Sequence, residues 1–151
     1  MSGKVKVIDQ GLIARLRQMN ELAEKKILVG IHEDAGWAAI GTATLAEVGY
    51  YQEYGTWDIP ARPWLSEGIT RADPAKLLKQ IAVDVVNGKT AEVALERAGQ
   101  AAVGAIKEGF TEIAWEPNAQ STIELKGSSQ PLIDTGRLRQ SVDFKIVKGD
   151  V

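Results

Sequence analysis

Three short stretches of the chain carry residue types that enzymes use. The triplet Asp-Thr-Gly at 134–136 is typical of aspartic proteases. That chemistry needs two aspartates that share one proton, and a homodimer would supply one from each copy. In such proteases, however, the triplet comes early and a flap follows it, whereas only the tail from Arg137 to Val151 follows here. A dimeric aspartic protease is therefore kept only as an alternative.

The other two stretches favour catalysis less. The segment 88–90, Gly-Lys-Thr, ends like a Walker A phosphate loop. That motif needs a glycine five residues earlier, but Val83 stands there in a segment with helical apolar spacing. The segment 32–34 places the only histidine beside two carboxylates, without further residues at metal-ligand spacing. With one histidine and no cysteine, options for acid–base and nucleophilic catalysis are few. We expect no enzyme, no metal and no cofactor.

Composition indicates a single soluble globular domain over 1–151. Hydrophobic residues make up 44% and charged residues 25% of the 151 positions, which is ordinary for such domains. The net charge of −2 argues against non-specific binding to nucleic acid, which needs clustered cations. No stretch approaches the roughly 20 apolar residues of a membrane span. The polar start Met1–Lys6 also lacks the apolar core of a signal peptide.

The apolar spacing predicts an α+β fold in which a small, mostly antiparallel sheet has helices packed on one face. Strands are expected at 5–8, at 26–32 and from Val142 to Ile146. Helices are expected over 10–24 and 45–54, from Pro63 to about Arg71, from Pro74 to before Gly88, from Thr90 to Ile113 and over 136–141. The polar, glycine- and serine-containing segment 116–131 predicts one long mobile loop.

Capping residues support the expected ends of these helices. A threonine three residues before a glutamate is the signature of a capping box, and aspartate followed by proline is a typical helix start. The expected caps are Asp9, Thr44 with Glu47, Gly55, Asp73, Thr90, and Asp134 or Thr135.

The helix after Thr90 carries many small residues, which allow another backbone to approach closely. These residues are Ala98, Gly99, Ala101, Ala102, Gly104 and Ala105. The partner backbone could belong to the same chain or to another subunit, and the sequence leaves both open.

The stretch 51–65 combines aromatic residues, a glycine, two prolines and a single arginine. Pro60 and Pro63 fix φ and remove donors, so Arg62 cannot lie inside a regular element. A stiff, apolar loop that holds out a guanidinium suits protein contact, because tryptophan and arginine are typical interface anchors. The predicted partner interface is Tyr54, Trp57, Arg62, Trp64, Trp115, Lys126, Asp134 and Arg137. Two alternatives stay open: Arg62 binding within its own domain, and Trp64 filling the core beside Leu65.

Two motifs, in this order and at this separation, resemble the bacteriophage neck or tail-completion family. The first runs from Glu53-Tyr54-Gly55-Thr56 to Ile59-Pro60-Ala61-Arg62-Pro63-Trp64-Leu65. The second comprises Lys126-Gly127-Ser128-Ser129 and Pro131 to Gly136, with Leu138 and Ser141. The chain departs from the family pattern in using Tyr54 and Trp64 where phenylalanine is frequent.

The resemblance implies a structural protein of the virion of a long-tailed phage or prophage. Such head–tail connector components pass from the host cytoplasm to the neck, where they form a ring around the DNA channel. The implied partners are the head-side connector, the tail terminator and further copies of the chain, with DNA only as the contents of the channel. No catalytic site, cofactor or membrane comes with the family. A tail-terminator or minor tail protein is the alternative.

Overall fold

Six α-helices and a two-stranded antiparallel sheet make up the described part of the chain, which confirms the predicted α+β class. The computed structural model describes residues 11–38, 41–118, 123–124 and 136–149. The elements are α1 (Leu12–Ala23), β1 (Lys25–Ile31), a 3-10 turn (Glu33–Ala35), α2 (Leu45–Tyr54), α3 (Trp64–Ala72), α4 (Pro74–Val86), α5 (Ala91–Glu112), α6 (Arg137–Gln140) and β2 (Val142–Lys148). The strand expected at 5–8 lies outside the described residues, as does most of the loop expected at 116–131.

The sheet places its apolar side chains on the face that the helices cover. β1 and β2 pair with Lys25 opposite Lys148 and Ile31 opposite Val142. Because side chains alternate between faces, Ile27 and Val29 on β1 share a face with Val142, Phe144 and Ile146 on β2. All of these except Phe144 belong to or pack against the apolar clusters, and Phe144 contacts Gly99 of α5.

Helix α5 runs through both apolar clusters of the molecule and so forms the centre of the fold. Its first half packs with α4, where Ile81 and Val85 meet Ala94, Leu95 and Ala98. Its second half joins the other cluster, whose buried members are Leu45, Trp64, Ile106, Phe110, Leu138 and Val142. At 22 residues the helix is about 33 Å long, which is enough to span a small domain.

Most of the predicted caps are confirmed. Thr44 and Glu47 form the capping box, with the Thr44 amide donating to Glu47 Oε2 at 2.8 Å. Gly55 ends α2 with φ of 73°, and Asp73 and Thr90 cap α4 and α5 through their side chains.

The first and last helices begin differently from the prediction. The residue before α1 is Gly11, in the left-handed region, and Asp9 lies outside the described residues. The residue before α6 is Gly136, which has φ of 73° and no side chain that could accept a hydrogen bond. Asp134 and Thr135 also lie outside the described residues.

Three of the small residues of α5 make contacts within the chain. A Cβ built on Gly99 would lie 2.3 Å from the Phe144 ring, so only glycine lets β2 approach this closely. Ala98 and Ala102 are buried in the same interior. Ala98, Gly99 and Ala102 therefore pack within their own chain, and the alternative that these positions contact another subunit is wrong. Gly104, by contrast, faces open space within the described residues.

Asp84 joins α4 to α5 through a buried carboxylate. Its Oδ1 accepts hydrogen bonds from Lys89 at 2.8 Å and Gln80 at 3.1 Å, and its Oδ2 accepts one from Arg97 at 2.7 Å. The hydrogen bond from Arg97 is the main cause that lowers the pKa of Asp84 below its ordinary value of 3.8, while burial acts in the opposite direction.

We predict that the Asp84→Asn variant loses the acid dependence that this carboxylate gives to the free energy of unfolding. A lowered folded-state pKa stabilises the fold above the ordinary value of 3.8, and this stabilisation disappears as pH falls through the folded-state pKa. Urea unfolding between about pH 7 and pH 2 should show the two proteins converging in stability below about pH 4. Parallel stability curves would contradict the prediction.

Candidate partner interface

Helix α2 separates a buried stripe from an exposed aromatic face. Leu45, Gly49 and Glu53 are buried at a spacing of four residues, so they occupy one side of the helix. The side away from the core carries Tyr50, Tyr51 and Tyr54, with exposed fractions of 61%, 42% and 68%. These three tyrosines, together with Trp57, are called the aromatic patch below.

The tyrosines of the aromatic patch contact one another. The ring centroids of Tyr50 and Tyr54 lie 4.8 Å apart with the rings tilted by 50°, and Tyr51 meets Tyr50 edge-on at 6.2 Å. Offset and edge-on rings attract one another beyond simple burial. Exposed aromatic surface that is not needed for the core is typical of a protein interface.

Trp57 lies in a closed turn directly after α2 and is 96% exposed. The Thr56 amide donates to the Ile59 carbonyl at 2.9 Å, and the Ile59 amide donates back to the Thr56 hydroxyl at 3.1 Å. Gly55 fits here because a Cβ would lie only 2.8 Å from the Ala61 nitrogen. The turn therefore fixes the backbone that carries this large apolar side chain, and a backbone ordered before binding lowers the entropy lost on binding.

Glu53 links α2 to the start of α3. Its Oε2 accepts a hydrogen bond from the Leu65 amide at 2.7 Å, and its Oε1 accepts from the Ser66 amide at 3.1 Å and from the Ser66 hydroxyl. Pro63 precedes α3 and has no side chain that can cap it. A carboxylate from the preceding helix thus accepts hydrogen bonds from amides that the first turn of α3 leaves free. Its negative charge is also attracted to the positive end of the helix dipole.

Arg62 is buried in its own chain, with an exposed fraction of only 3%. Its Nε donates to the Glu116 carbonyl at 2.9 Å and one Nη to the Gln52 side-chain oxygen at 2.9 Å. The other Nη donates to the Pro117 carbonyl at 3.2 Å and to Asn118 Oδ1 at 3.3 Å. Burial lowers the pKa of the guanidinium, and the charge of Glu116 opposes that shift. Arg62 is therefore removed from the predicted interface, and the alternative of binding within its own domain is confirmed.

Trp64 is also part of the core. It is 3% exposed, its indole N–H donates to the Gly49 carbonyl at 2.8 Å, and its ring lies 5.2 Å from that of Phe110. It is removed from the interface, and its alternative placement in the core is confirmed. Trp115 is half-buried and packs against the same cluster. Within the described residues, no acceptor lies within hydrogen-bond distance of its indole nitrogen.

Three predicted interface residues are exposed on the described surface. They are Tyr54, Trp57 and Arg137. Arg137 opens α6, and the Leu138 side chain of that helix lies against Gly49 of α2. Lys126 and Asp134 lie outside the described residues.

The stretches with catalytic residue types have structural roles where they are described. Gly88 follows α4 with φ of 94°, Lys89 pairs with Asp84, and Thr90 caps α5. The segment 88–90 thus joins two helices. In the segment 32–34, both carboxylate oxygens of Asp34 accept hydrogen bonds from Lys145 at 2.9 Å.

His32 is partly buried at the end of β1. Its Nε2 is enclosed and has no hydrogen-bond partner among the residues that the structure describes. Over those ranges, no three histidine, aspartate or glutamate side chains form a group that could hold a metal ion. Nor is any helix there long and apolar enough to cross a membrane.

Sequence reasoning missed Tyr50 and Tyr51. The signal was available, because the stripe of Leu45, Gly49 and Glu53 leaves both tyrosines on the outer side of α2. Glutamate at the third position of the stripe conceals it, since glutamate is seldom buried unless it is paired.

Comparisons of the chain with protein-family models, with curated proteins and with solved structures found no significant match. The resemblance to neck proteins therefore stays a prediction.

Proposed function

We propose that this chain is a structural component of the neck of a long-tailed phage or prophage. In this role it joins the head-side connector to the tail and forms a ring with further copies of itself around the DNA channel. The proposal assigns it no catalytic activity and no cofactor. The observation that carries it is the aromatic patch, in which three exposed tyrosines of α2 are followed, in the closed turn after the helix, by the almost fully exposed Trp57.

A connector has to bind its neighbouring proteins quickly and stably, and it needs no catalytic activity. A preformed aromatic surface suits this task, because its side chains lose little freedom on binding and bury large apolar areas. The contacts of Glu53 and Arg62 support the same role, since they hold the turn around Trp57 against α3 and the segment 116–118. The motif that resembles the family therefore forms a backbone segment held in place by these hydrogen bonds, and the Trp57 side chain projects from it into solvent.

The location of the protein in purified virions tests this assignment directly. Gold-labelled antibody against the chain should mark the junction of head and tail in particles of the phage that encodes it. Label at the end of the tail tube or along the tail would favour the alternative of a terminator or minor tail protein. Absence of label from intact and disrupted virions would contradict a virion role.

We predict that Trp57→Ala impairs the joining of heads to tails without destabilising the chain. Truncating a central aromatic anchor costs about 2 kcal/mol or more of binding, or at least a tenfold loss in joined particles. The free energy of unfolding should change by less than about 0.5 kcal/mol, because the side chain is 96% exposed. Complementation of a phage that lacks the gene, scored by electron microscopy, measures the joining.

Trp37→Ala provides the matched control. Trp37 is also an exposed tryptophan, at 61%, but it lies before α2 and outside the aromatic patch. We expect this variant to join heads to tails like the wild type. Equal loss in both variants would show that the effect is not specific to the turn, and normal joining with Trp57→Ala would remove Trp57 from the interface.

A further inference from the structure

One edge of β1 has no neighbouring strand within the described residues. The Gly149 amide donates to the Glu24 carbonyl at 2.7 Å, which fixes the alternation of the ladder. From this register, the backbone groups of Leu28 and Gly30 point towards β2, whereas those of Ile27, Val29 and Ile31 point to the opposite edge. The described sheet has only two strands, so nothing in it pairs with that edge.

Two clefts follow this edge of β1 and adjoin at Val29. The larger has a volume of about 490 Å³ and the smaller of about 340 Å³. Each cleft is lined by β1 residues from both faces of the sheet, which are Lys25, Lys26, Ile27 and Val29 in the larger and Leu28 to Ile31 in the smaller. No residue of β2 lines either cleft. This pattern places both clefts beside the strand on the side away from β2.

The walls opposite β1 are apolar. In the larger cleft they come from α3, α4 and α5, including Ile69, Leu77 and Leu95. In the smaller cleft they come from α2 and the start of α3, including Tyr50, Tyr54 and Leu65. An extended chain that pairs with β1 would place alternate side chains, about 6.6 Å apart, against these walls.

The charged residues along this edge of β1 favour a partner segment with acidic side chains at one end. The only charged residues that line the larger cleft are Lys25 and Lys26, at the start of β1. In the smaller cleft the one carboxylate, that of Glu53, already accepts hydrogen bonds from the first turn of α3. Acidic side chains are therefore favoured at the end of the added segment that lies beside Lys25.

We propose that β1 accepts an extended, acidic–apolar segment of a partner protein as a third strand. Its backbone pairs with Ile27, Val29 and Ile31, its alternate apolar side chains fill the two clefts, and its acidic end meets Lys25. Strand addition of this kind takes affinity from main-chain hydrogen bonds and specificity from pockets for alternate side chains. The inference requires no position in a virion, although Tyr50 and Tyr54 belong both to the smaller cleft and to the aromatic patch.

Three synthetic peptides of seven residues, the length of β1, test the proposal on the isolated protein. The first alternates valine and threonine and carries two glutamates at one end. The second has lysines in place of the glutamates, and the third is the first with N-methyl groups on alternate amides. We expect the glutamate peptide to bind at least about tenfold more tightly than the lysine peptide, and the methylated peptide not to bind. The amide resonances of Ile27, Val29 and Ile31 should shift on binding.

A pair of protein variants on α4 provides the matched control. Leu78 lines the larger cleft and is 67% exposed, whereas Val86 is 57% exposed and lines neither cleft. Leu78→Glu should weaken the glutamate peptide at least about fivefold and strengthen the lysine peptide, because it adds a negative charge to the cleft. Val86→Glu should leave both affinities within about twofold. Failure of the glutamate peptide to bind, equal affinity for all three peptides, or shifts confined to residues outside β1 and the cleft walls would overturn the proposal.

Discussion

Arg62→Lys should lower the free energy of unfolding by about 2 kcal/mol or more. Arg62 donates four hydrogen bonds that reach α2 and the segment 116–118, and the side chain is only 3% exposed. A lysine keeps the charge but cannot reproduce the planar fork. At least two acceptors then lose their donor, at about 1–3 kcal/mol for each group left buried without a partner. Urea unfolding at neutral pH measures the change.

Arg71→Lys is the matched control for that experiment. Arg71 pairs with Glu112, but their side chains are 36% and 58% exposed. Exposed ion pairs contribute about 0–1 kcal/mol, and lysine can retain part of the attraction. We therefore expect a change below about 0.5 kcal/mol at this position. If the two variants lose the same stability, the buried contacts of Arg62 are not what distinguishes it.

Local sequence signals could predict the ends of several helices. The capping box at Thr44, glycine after α2, and proline after Asp73 each act through the residue's own backbone or its nearest neighbours along the chain. The spacing of Leu95, Ala102, Ile106 and Phe110 also predicts the buried face of α5, because a helix of 22 residues gives the periodicity enough repeats to be recognised.

The sequence could not predict which aromatic residues of the stretch 51–65 are exposed and which are buried. Trp57 and Trp64 flank the same prolines, yet one is 96% exposed and the other 3%. The difference depends on α5, because Phe110 lies 46 positions beyond Trp64 in the chain and contacts its ring. Arg62 faces inward for a similar reason, since its acceptors at 116–118 are distant in sequence. Such contacts leave no local pattern.

Glu53 shows how a residue in a recognisable motif can have a role that the motif does not state. Its position in the sequence identifies the end of α2, but its carboxylate caps the next helix. The arrangement requires α2 and α3 to meet at a defined angle, which Gly55 and the turn after it provide. Much of the motif 53–65 is therefore explained by folding, and this leaves Tyr54 and Trp57 as its positions most available to a partner.

Gly68→Ala should destabilise the fold by up to about 2 kcal/mol, although alanine is the better helix former. A Cβ on Gly68 would lie 2.7 Å from Ile106 Cγ1 and 2.8 Å from its Cα, where α3 crosses α5. The side chain of Ile106 is fully buried, and its backbone belongs to the central helix, so neither can move aside cheaply. Overpacking of this kind typically costs 1–3 kcal/mol and outweighs the roughly 1 kcal/mol that alanine gains in helix propensity.

Gly104→Ala tests the same substitution on the same helix pair without the crowding. Gly104 lies two positions before Ile106 in α5, and apart from the neighbouring backbone of its own helix no heavy atom of the described residues lies within 4 Å of a Cβ built there. Only the propensity contributes at this position, so the variant should be more stable by up to about 1 kcal/mol. The two variants should thus shift the thermal midpoint in opposite directions. Stabilisation by Gly68→Ala would show that α3 and α5 can separate to admit a methyl group, which the close packing of α3 against α5 around Ile106 argues against.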